Sequence, residues 1–308
     1  MKEKLTAAAV GAALVALCFS GGAVTESARA ALAVCASTIL PSLFPFFVLS
    51  ILLSRLGLPR QIGQRLAPLA GQLFGVSGAG LTALPVGLLG GYPMGAACAA
   101  ELLAQREIGR DEAERLLLFV NNSGPAFLIG AVGIGAFGSA KAGFLLYAAH
   151  AAAAVLTGLL FSHPGGGSHL VKSKAGEPFA SAFPAAVRQA VSAVLTVCGF
   201  VVCFSVLLGL LESWGLFSLL GISTPEHRAL ISGLFEIGSA VGALRGLSLS
   251  PAHLALAAGV LGWGGLSVHC QTAALFADSE LSLRRHALGR LCSALLSALI
   301  AAALAPLL

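Results

Sequence analysis

The chain has 308 residues, of which 57% are Ala, Val, Ile, Leu, Met, Phe, Trp, Tyr or Cys and only 10% are charged. Soluble domains carry about 25% charged residues, so this composition, with a mean hydropathy of +0.92, excludes a soluble protein. The net charge of +5 does not indicate nucleic-acid binding, because Lys and Arg in membrane proteins mostly mark cytoplasmic loops and no basic stretch is interleaved with aromatic residues.

Apolar segments of spanning length recur and predict an all-α, polytopic protein with a single membrane domain over 1–308. The first segment follows Lys2 and Lys4, and Ser27-Ala28-Arg29-Ala30 could pass for a signal-peptide cleavage site. We favour a retained first helix, because the stretch can span a bilayer and another span follows at once. The apolar segments and one Gly-rich region (66–104) lie at 5–24, 30–53, 66–104, 116–137, 140–161, 187–211, 229–244, 254–276 and 288–308.

A polar loop at 163–182, with Gly165-Gly166-Gly167, Lys172 and Lys174, divides the chain. Its composition is typical of a flexible linker. We therefore predict a first half over 29–161, a linker over 162–184 and a second half over 185–308.

The basic residues orient the segments, and they favour a cytoplasmic N-terminus. Arg29, Lys141 and Arg228 would then lie outside, and Arg245 is ambiguous. The larger group would lie in the cytoplasm: Lys2, Lys4, Arg55, Arg60, Arg65, Arg106, Arg110, Arg115, Lys172, Lys174, Arg188, Arg284, Arg285 and Arg290.

This charge map predicts two inverted-topology repeats. The loops at 54–66 and 104–115 are both basic, so the region between them is a re-entrant hairpin or two short spans. In the second half, the segment at 229–244 dips in from the outside. Hairpins that enter from opposite faces are typical of inverted repeats in transporters. Short matches between the halves, such as Ser50-Ile51-Leu52-Leu53 with Ser205-Val206-Leu207-Leu208, agree with this prediction, and their alternative is chance similarity between Gly-rich membrane segments.

A polar break interrupts the apolar run at 116–137, at Asn121-Asn122-Ser123-Gly124-Pro125. Broken helices at membrane depth must face protein or a water-filled cavity. A half-helix starting at Pro125 would turn its positive end into the break, so Asn121, Asn122 and Ser123 are predicted to bind a carboxylate. The alternative is a proline kink whose Asn side chains cap freed backbone groups.

A second predicted break covers 262–271. Its Ser267, His269 and Gln271 would share one face in an extended stretch and spread on a helix; we expect them to complete the substrate site. Glu236 is a carboxylate inside the apolar segment at 229–244, and charge there is costly. We predict that it couples transport to a proton or Na⁺, unless it reaches water at the interface.

The sequence Gly90-Gly91-Tyr92-Pro93 is a candidate hairpin tip, since Pro93 disfavours helix at Tyr92 and Gly91 allows close approach of a ligand. The alternative is helix packing through the ladder Gly87, Gly91 and Gly95. No nucleotide-binding loop, nucleophile–base pattern or metal cluster occurs, and the cysteines form no C-x-x-C pair. We therefore expect no enzyme, no metal and no cofactor.

Five segments, in chain order, carry a resemblance to a known family: Leu40-Pro41-Ser42-Leu43-Phe44-Pro45, Gly91-Tyr92-Pro93-Met94-Gly95, Glu112-Ala113-Glu114-Arg115, Asn121-Asn122-Ser123-Gly124-Pro125 and Gly262-Trp263-Gly264-Gly265. They resemble the sporulation integral membrane protein YlbJ (SpoVV) family, which contains the nucleoside recognition, or gate, domain. The chain departs from the family pattern in two places: Ala97 and Cys98 stand where a Lys is expected, and His269 and Cys270 stand where a Gln and a small residue are expected.

The resemblance implies movement of dipicolinic acid across the outer forespore membrane during endospore formation. It also implies site roles for Gly91, Tyr92, Pro93, Asn121, Asn122, Ser123, Glu236, Gly265 and Ser267. We expect a secondary transporter or facilitator of a small organic anion in the bacterial cell membrane, with the lipid bilayer and a small-molecule substrate as partners and no nucleic acid. A nucleoside transporter and a non-transporting sporulation scaffold are the alternatives, and a homo-oligomer stays open.

Overall fold

The computed structural model describes residues 11, 13–162, 176–279 and 281–308. All regular elements in these ranges are helical, which confirms the all-α prediction. The masked N-terminal part of the first predicted segment and most of the predicted linker, 163–175, lie outside the described residues.

The helices of the first half are mostly short and are joined by tight turns. They are α1 (Gly21–Val34), α2 (Leu40–Arg55), α3 (Leu58–Leu69), α4 (Gly78–Leu81), α5 (Ala83–Gly90), α6 (Met94–Ala104), α7 (Arg110–Leu116) and α8 (Ala140–Leu160), with π-helical stretches at Cys35–Ile39, Ala70–Phe74 and Ala126–Ile134.

The second half begins with the longest helix of the described chain. Its elements are α9 (Phe179–Ser213), α10 (Leu216–Leu219), α11 (Pro225–Phe235), α12 (Ile237–Leu244), α13 (Pro251–Trp263), α14 (Gly265–Leu275), α15 (Arg284–Leu304) and a final 3₁₀ turn, Ala305–Leu307. Among the described residues, four helical stretches are long and apolar enough to cross a membrane. The number rises to six if two sharply bent helix pairs, Gly21–Ile39 with Leu43–Arg55 and Gln61–Phe74 with Gly78–Gly90, each count as one span. The protein is therefore a multi-pass membrane protein.

Local sequence explains where several helices begin. The hydroxyls of Thr224 and Ser250 accept hydrogen bonds from the backbone N–H three residues on, and a proline follows each of them. This pairing of an N-cap hydroxyl with proline at the first helical position is favourable, because proline lacks the N–H that would be unsatisfied there. Helix α9 starts just after Pro178, at Phe179, without a side-chain cap, so the helix begins inside the predicted linker rather than after residue 184.

The two halves share their apolar core. Helix α9 of the second half packs on α1 and α2, and α15 packs on both α8 and α13. Buried apolar clusters accordingly mix the halves, as where Leu146 and Leu128 pack with Leu261 and Ala301. The described chain forms one interleaved membrane unit rather than two separate bundles.

Charged contacts at one end of the fold also join the halves. Asp111 on α7 accepts a hydrogen bond from Arg285 on α15 at 2.7 Å and pairs with Arg115 on its own helix. The hydrogen bond from Arg285 holds the pKa of the Asp111 carboxyl below its ordinary value. Glu114 accepts a hydrogen bond from the backbone N–H of Ser282 at 2.9 Å.

Candidate functional site

The first break occurs where it was predicted. Helix α7 ends at Leu116, turns follow, and residues 121–124 have no regular structure before the π-helix at Ala126–Ile134. Asn122 donates a hydrogen bond from Nδ2 to the Phe119 carbonyl at 2.7 Å. This side chain therefore caps backbone freed by the break, as in the alternative interpretation of the motif.

The second break separates α13 from α14 at a pair of glycines. Gly264 has a φ of 84° and Gly265 a φ of 76°. L side chains rarely adopt this left-handed conformation, so glycine permits the chain to interrupt the helix there. A third break separates α11 from α12, where Glu236 is extended, with φ −151° and ψ 126°.

In each half, the hairpin tip touches the broken helix through glycine. A Cβ on Gly91 would lie 3.0 Å from the Gly124 nitrogen, and a Cβ on Gly265 would lie 2.9 Å from the Phe235 carbonyl oxygen. The glycine ladder contributes packing as well, because a Cβ on Gly87 would lie 3.0 Å from the Gly95 Cα. Close backbone contact therefore fixes each tip against its break.

Glu236 caps the helix that follows it. Its carboxylate accepts hydrogen bonds from the N–H groups of Gly238 at 2.8 Å and Ser239 at 2.6 Å. The residue is only 3% exposed, which excludes the alternative of a freely solvated interfacial side chain. The carboxyl group therefore lies at the N-terminal end of α12, where the helix dipole favours its ionised form.

A cavity of about 480 Å³ lies where the breaks of both halves meet. Its walls are mixed: apolar residues of α1 and α9 on one side, and backbone, hydroxyl and amide groups of the breaks on the other. Of the predicted site residues, the cavity brings together Gly91, Tyr92, Ser123, Glu236, Ser267 and Gln271.

The other predicted site residues do not line this cavity. Asn121 and Asn122 are fully buried behind its wall, and Asn121 Nδ2 donates to Thr272 Oγ1 at 2.9 Å. Pro93 lines a second, smaller cavity, and Gly265 contacts the α11–α12 tip. His269 packs against the Trp263 ring, with the ring centroids 4.3 Å apart.

The predicted trio on α14 is helical, so the extended alternative is wrong. Ser267 and Gln271 are four residues apart on one helical face, where the Gln271 Nε2 donates to the Ser267 Oγ at 3.1 Å. His269 lies on another face, and its Nδ1 lies 2.9 Å from the Gly265 carbonyl oxygen. Helical periodicity therefore separates His269 from the two residues that reach the cavity.

Arg290 is the main residue that the sequence interpretation missed. It was counted among the cytoplasmic basic residues, but it lies on α15 with 0% exposure. Its Nη1 donates to the Tyr92 hydroxyl at 3.0 Å, and its Nη2 donates to Ser293 Oγ at 3.1 Å. Weaker contacts of 3.5 Å reach the carbonyls of Leu118 and Gly262.

The Arg290 guanidinium therefore joins both broken helices and the first hairpin tip. Leu118 lies just after α7, and Gly262 lies near the end of α13, where carbonyl groups carry partial negative charge. Among the described residues, no carboxylate forms an ion pair with Arg290. Its contacts are instead with two hydroxyls and with carbonyl oxygens beside the breaks.

The sequence pattern of α15 does indicate that Arg290 belongs to a polar face of a helix. The spacing of polar residues along α15 is helical and all of them are buried: His286, Arg290, Ser293 and Ser297. His150 on α8 was also missed; its Nε2 accepts a hydrogen bond from the Ser123 N–H at 3.0 Å.

Replacing Tyr92 by phenylalanine should destabilise the protein. The Tyr92 hydroxyl donates to the Leu261 carbonyl at 2.9 Å and accepts from Arg290, so its loss removes one hydrogen bond from each of these two buried groups. We expect Tyr92→Phe to lower the free energy of unfolding by about 2 kcal/mol. Tyr147→Phe is the matched control, since its hydroxyl makes one partly buried bond, to Leu88. Equal losses in denaturant titrations of the two variants in detergent would contradict this role of Tyr92.

The comparisons with known proteins agree with the resemblance. The chain is 32% identical to the sporulation integral membrane protein YlbJ of Bacillus subtilis (strain 168) over 302 residues, which covers 86% of this chain and 74% of that protein. No family model matches the chain, so the nucleoside recognition domain stays a prediction. No solved structure matches it either. The identity and coverage show that the chain belongs to the family of the sporulation integral membrane protein YlbJ.

Proposed function

We propose that this protein is a secondary transporter or facilitator of a small organic anion, with dipicolinate as the first candidate, acting during endospore formation. The observation that carries the proposal is the cavity of about 480 Å³ bounded by the breaks of both halves. Its volume is within the range of small-molecule sites, roughly 300–1,000 Å³. Transporters hold substrates and ions at such breaks in discontinuous helices.

The first-half wall suits a carboxylate. Gly124, Ala126 and Phe127 line the cavity, so the π-helix at Ala126–Ile134 begins at its wall. The first N–H groups of a helix lack partners within the helix, and its positive end favours an anion. Ser123 adds a hydroxyl beside them. We propose that one substrate carboxylate binds here.

On the second-half wall, Glu236 makes anion binding in this cavity depend on a proton or a bound cation. The Glu236 carboxylate already occupies the N-terminus of α12, accepting two backbone N–H groups. A second anion in the same cavity would be repelled at short range in a medium of low dielectric constant. A proton on Glu236, or a bound Na⁺, removes this repulsion, which is why we propose ion-coupled transport.

The matching arrangement of the halves supports the inverted-repeat hypothesis. Each half has a hairpin whose tip touches a broken helix through glycine: Gly91 with Gly124, and Gly265 with Phe235. Basic residues near Arg55 and Arg110 favour a cytoplasmic position for that end of the fold. We propose a cytoplasmic N-terminus and a location in the outer forespore membrane.

The coupling proposal predicts a clear effect of neutralising Glu236. Glu236→Gln retains the shape of the side chain but carries no charge to titrate and offers one acceptor oxygen for two N–H groups. We expect dipicolinate uptake to fall at least tenfold and its dependence on pH to flatten. Glu226→Gln is the control and should leave both properties unchanged, because Glu226 is a partly exposed acid on α11 that does not line the cavity. An unaltered rate and pH profile in Glu236→Gln would exclude the coupling role.

Uptake into proteoliposomes tests the proposed function directly. Radiolabelled dipicolinate and uridine are compared in parallel, with and without a pH gradient or a Na⁺ gradient. Concentrative uptake of dipicolinate alone supports the proposal. Uptake of uridine that is insensitive to carboxylate competitors would instead identify a nucleoside transporter, and no uptake of either would favour the scaffold.

A further inference from the structure

A second cavity, of about 370 Å³, lies at the other side of the first hairpin tip. The polar residues that line this second cavity come from α2, α6, α9 and α14, and they are Ser50, Ser54, Glu101, Gln189, Ser192, Thr196 and Gln271. Of these residues, Gln271 also lines the first cavity and the others do not. A polar surface of this size at membrane depth requires contact with protein, water or a solute.

Helix α9 runs past both cavities. Gln189 lines the second cavity and Glu212 lines the first. At 1.5 Å per residue, these positions are about 35 Å apart along the helix, and the hydrocarbon core of a bilayer is about 30 Å thick. The two cavities therefore lie end to end over the thickness of a membrane.

Their outer ends carry charged residues. The first cavity reaches Glu212 and Arg228, which form an ion pair. The second reaches Glu101, which accepts a hydrogen bond from Gln189 at 3.3 Å, and Gln189 in turn accepts one from Arg55 at 3.2 Å. Charged residues at the two outer ends are expected for openings towards water on opposite faces.

Two side chains line both cavities: Val197 from α9 and Gln271 from α14. Each is 4% exposed. On the side of the second cavity, Phe47 and Met94 pack into the same buried cluster as Val197. The barrier between the cavities is therefore a thin apolar constriction with one amide in it.

The Gln271 amide is held from one side only. Its Nε2 donates to Ser267 on the same helix at 3.1 Å, and its Oε1 accepts no hydrogen bond from any described residue. A buried amide oxygen without a donor costs about 1–3 kcal/mol. Because no hydrogen bond among the described residues joins Gln271 to α9, its side chain can change rotamer without breaking a hydrogen bond between helices.

We propose that the two cavities are the two halves of one permeation path and that Gln271 and Val197 form the gate that closes it in this structure. The inference rests on the proposed transport function, since the path is where the small organic anion would cross. The unpaired Gln271 oxygen and the Ser267 hydroxyl would contact the solute as it passes from one cavity to the other.

Thiol accessibility tests the gate without requiring transport of any substrate. Ser205→Cys reports the first cavity and Ser50→Cys the second, each in a background with all seven native cysteines replaced by alanine. A membrane-impermeant methanethiosulfonate is added to one face of oriented membrane vesicles. We expect each cysteine to react from one face only, and the two cysteines to react from opposite faces.

Opening the gate should remove this sidedness. In Gln271→Ala, the reaction rate of Ser50→Cys from the face that labels Ser205→Cys should rise at least tenfold. Val197→Ala widens the constriction from the opposite helix and should have the same effect, which covers the case in which Gln271→Ala folds poorly. Gln189→Ala is the matched control, because this glutamine lines only the second cavity, and it should keep labelling one-sided.

Two results would overturn the proposal. The first is labelling of both reporter cysteines from the same face in the gate-intact background. The second is strict sidedness that persists in both Gln271→Ala and Val197→Ala. Because the readout is independent of the substrate, a sided path that opens in the gate variants while dipicolinate uptake is absent would uphold the gate and reject the proposed cargo.

Discussion

Arg290→Met should be among the most damaging single substitutions in this protein, lowering the free energy of unfolding by about 3 kcal/mol. The guanidinium contacts the Tyr92 hydroxyl, the Ser293 hydroxyl and the carbonyls of Leu118 and Gly262. Each bond from a charged donor is worth about 1.5–3 kcal/mol. The total is not their sum, because removing a buried charge also removes the cost of its desolvation.

The same substitution should also reduce uptake at least tenfold, since Arg290 holds Tyr92 at the cavity wall. Arg290→Lys should recover part of the stability and uptake, because lysine retains the charge but cannot reach four acceptors with a planar fork. Arg245→Met, at an exposed arginine on the α12–α13 turn, is the control and should change stability by less than about 0.5 kcal/mol. Equal stability of Arg290→Met and Arg245→Met in denaturant titrations would contradict the role given to Arg290.

Gly262→Ala, on α13, should also destabilise the protein strongly, whereas the same change at Gly259 on that helix should not. Helices α13 and α15 pack closely at Gly262, where a Cβ would lie 2.6 Å from the Ala294 Cα. A Cβ added to Gly259, one turn earlier, would lie 3.6 Å from its nearest neighbour, the Cβ of Ala298, which is an ordinary van der Waals distance. We therefore expect Gly262→Ala to cost about 1–3 kcal/mol, as overpacking of a dense core does.

Gly259→Ala should be neutral or stabilise the protein by about 0.5–1 kcal/mol, because alanine loses less conformational freedom than glycine in a helix. Thermal unfolding of the two variants in the same detergent compares them directly. Similar midpoints for Gly262→Ala and Gly259→Ala would show that α13 and α15 do not pack as described. Gly262→Ala should also lower uptake, since the α13 end carries a carbonyl that Arg290 contacts.

The sequence predicts the breaks well because their causes are local. Pro125 and the glycines at 264 and 265 interrupt helices through their own backbone chemistry, whatever surrounds them. Glu236 was likewise recognisable as a carboxylate in an apolar segment. These features depend on a few neighbouring residues, so the positions of the breaks and the all-α fold could be predicted from the chain alone.

The composition of the cavity wall could not be predicted in the same way. Whether Asn121 reaches a ligand or Thr272 depends on how α14 packs against the first break, which is a long-range property. Arg290 was counted among the cytoplasmic residues because basic residues usually mark cytoplasmic ends. Only the tertiary fold brings it beside Tyr92 and the carbonyls of Leu118 and Gly262.

Substrate protection of cysteines tests most directly whether the breaks of both halves bound one cavity that binds a small organic anion. Ala126→Cys in the first half and Ser239→Cys in the second both lie on the cavity wall, whereas Ser50→Cys lies in the second cavity. Dipicolinate should slow the thiol labelling of both wall positions with the same concentration dependence and leave Ser50→Cys unaffected. Protection of only one wall position, or of neither, would contradict the shared anion site.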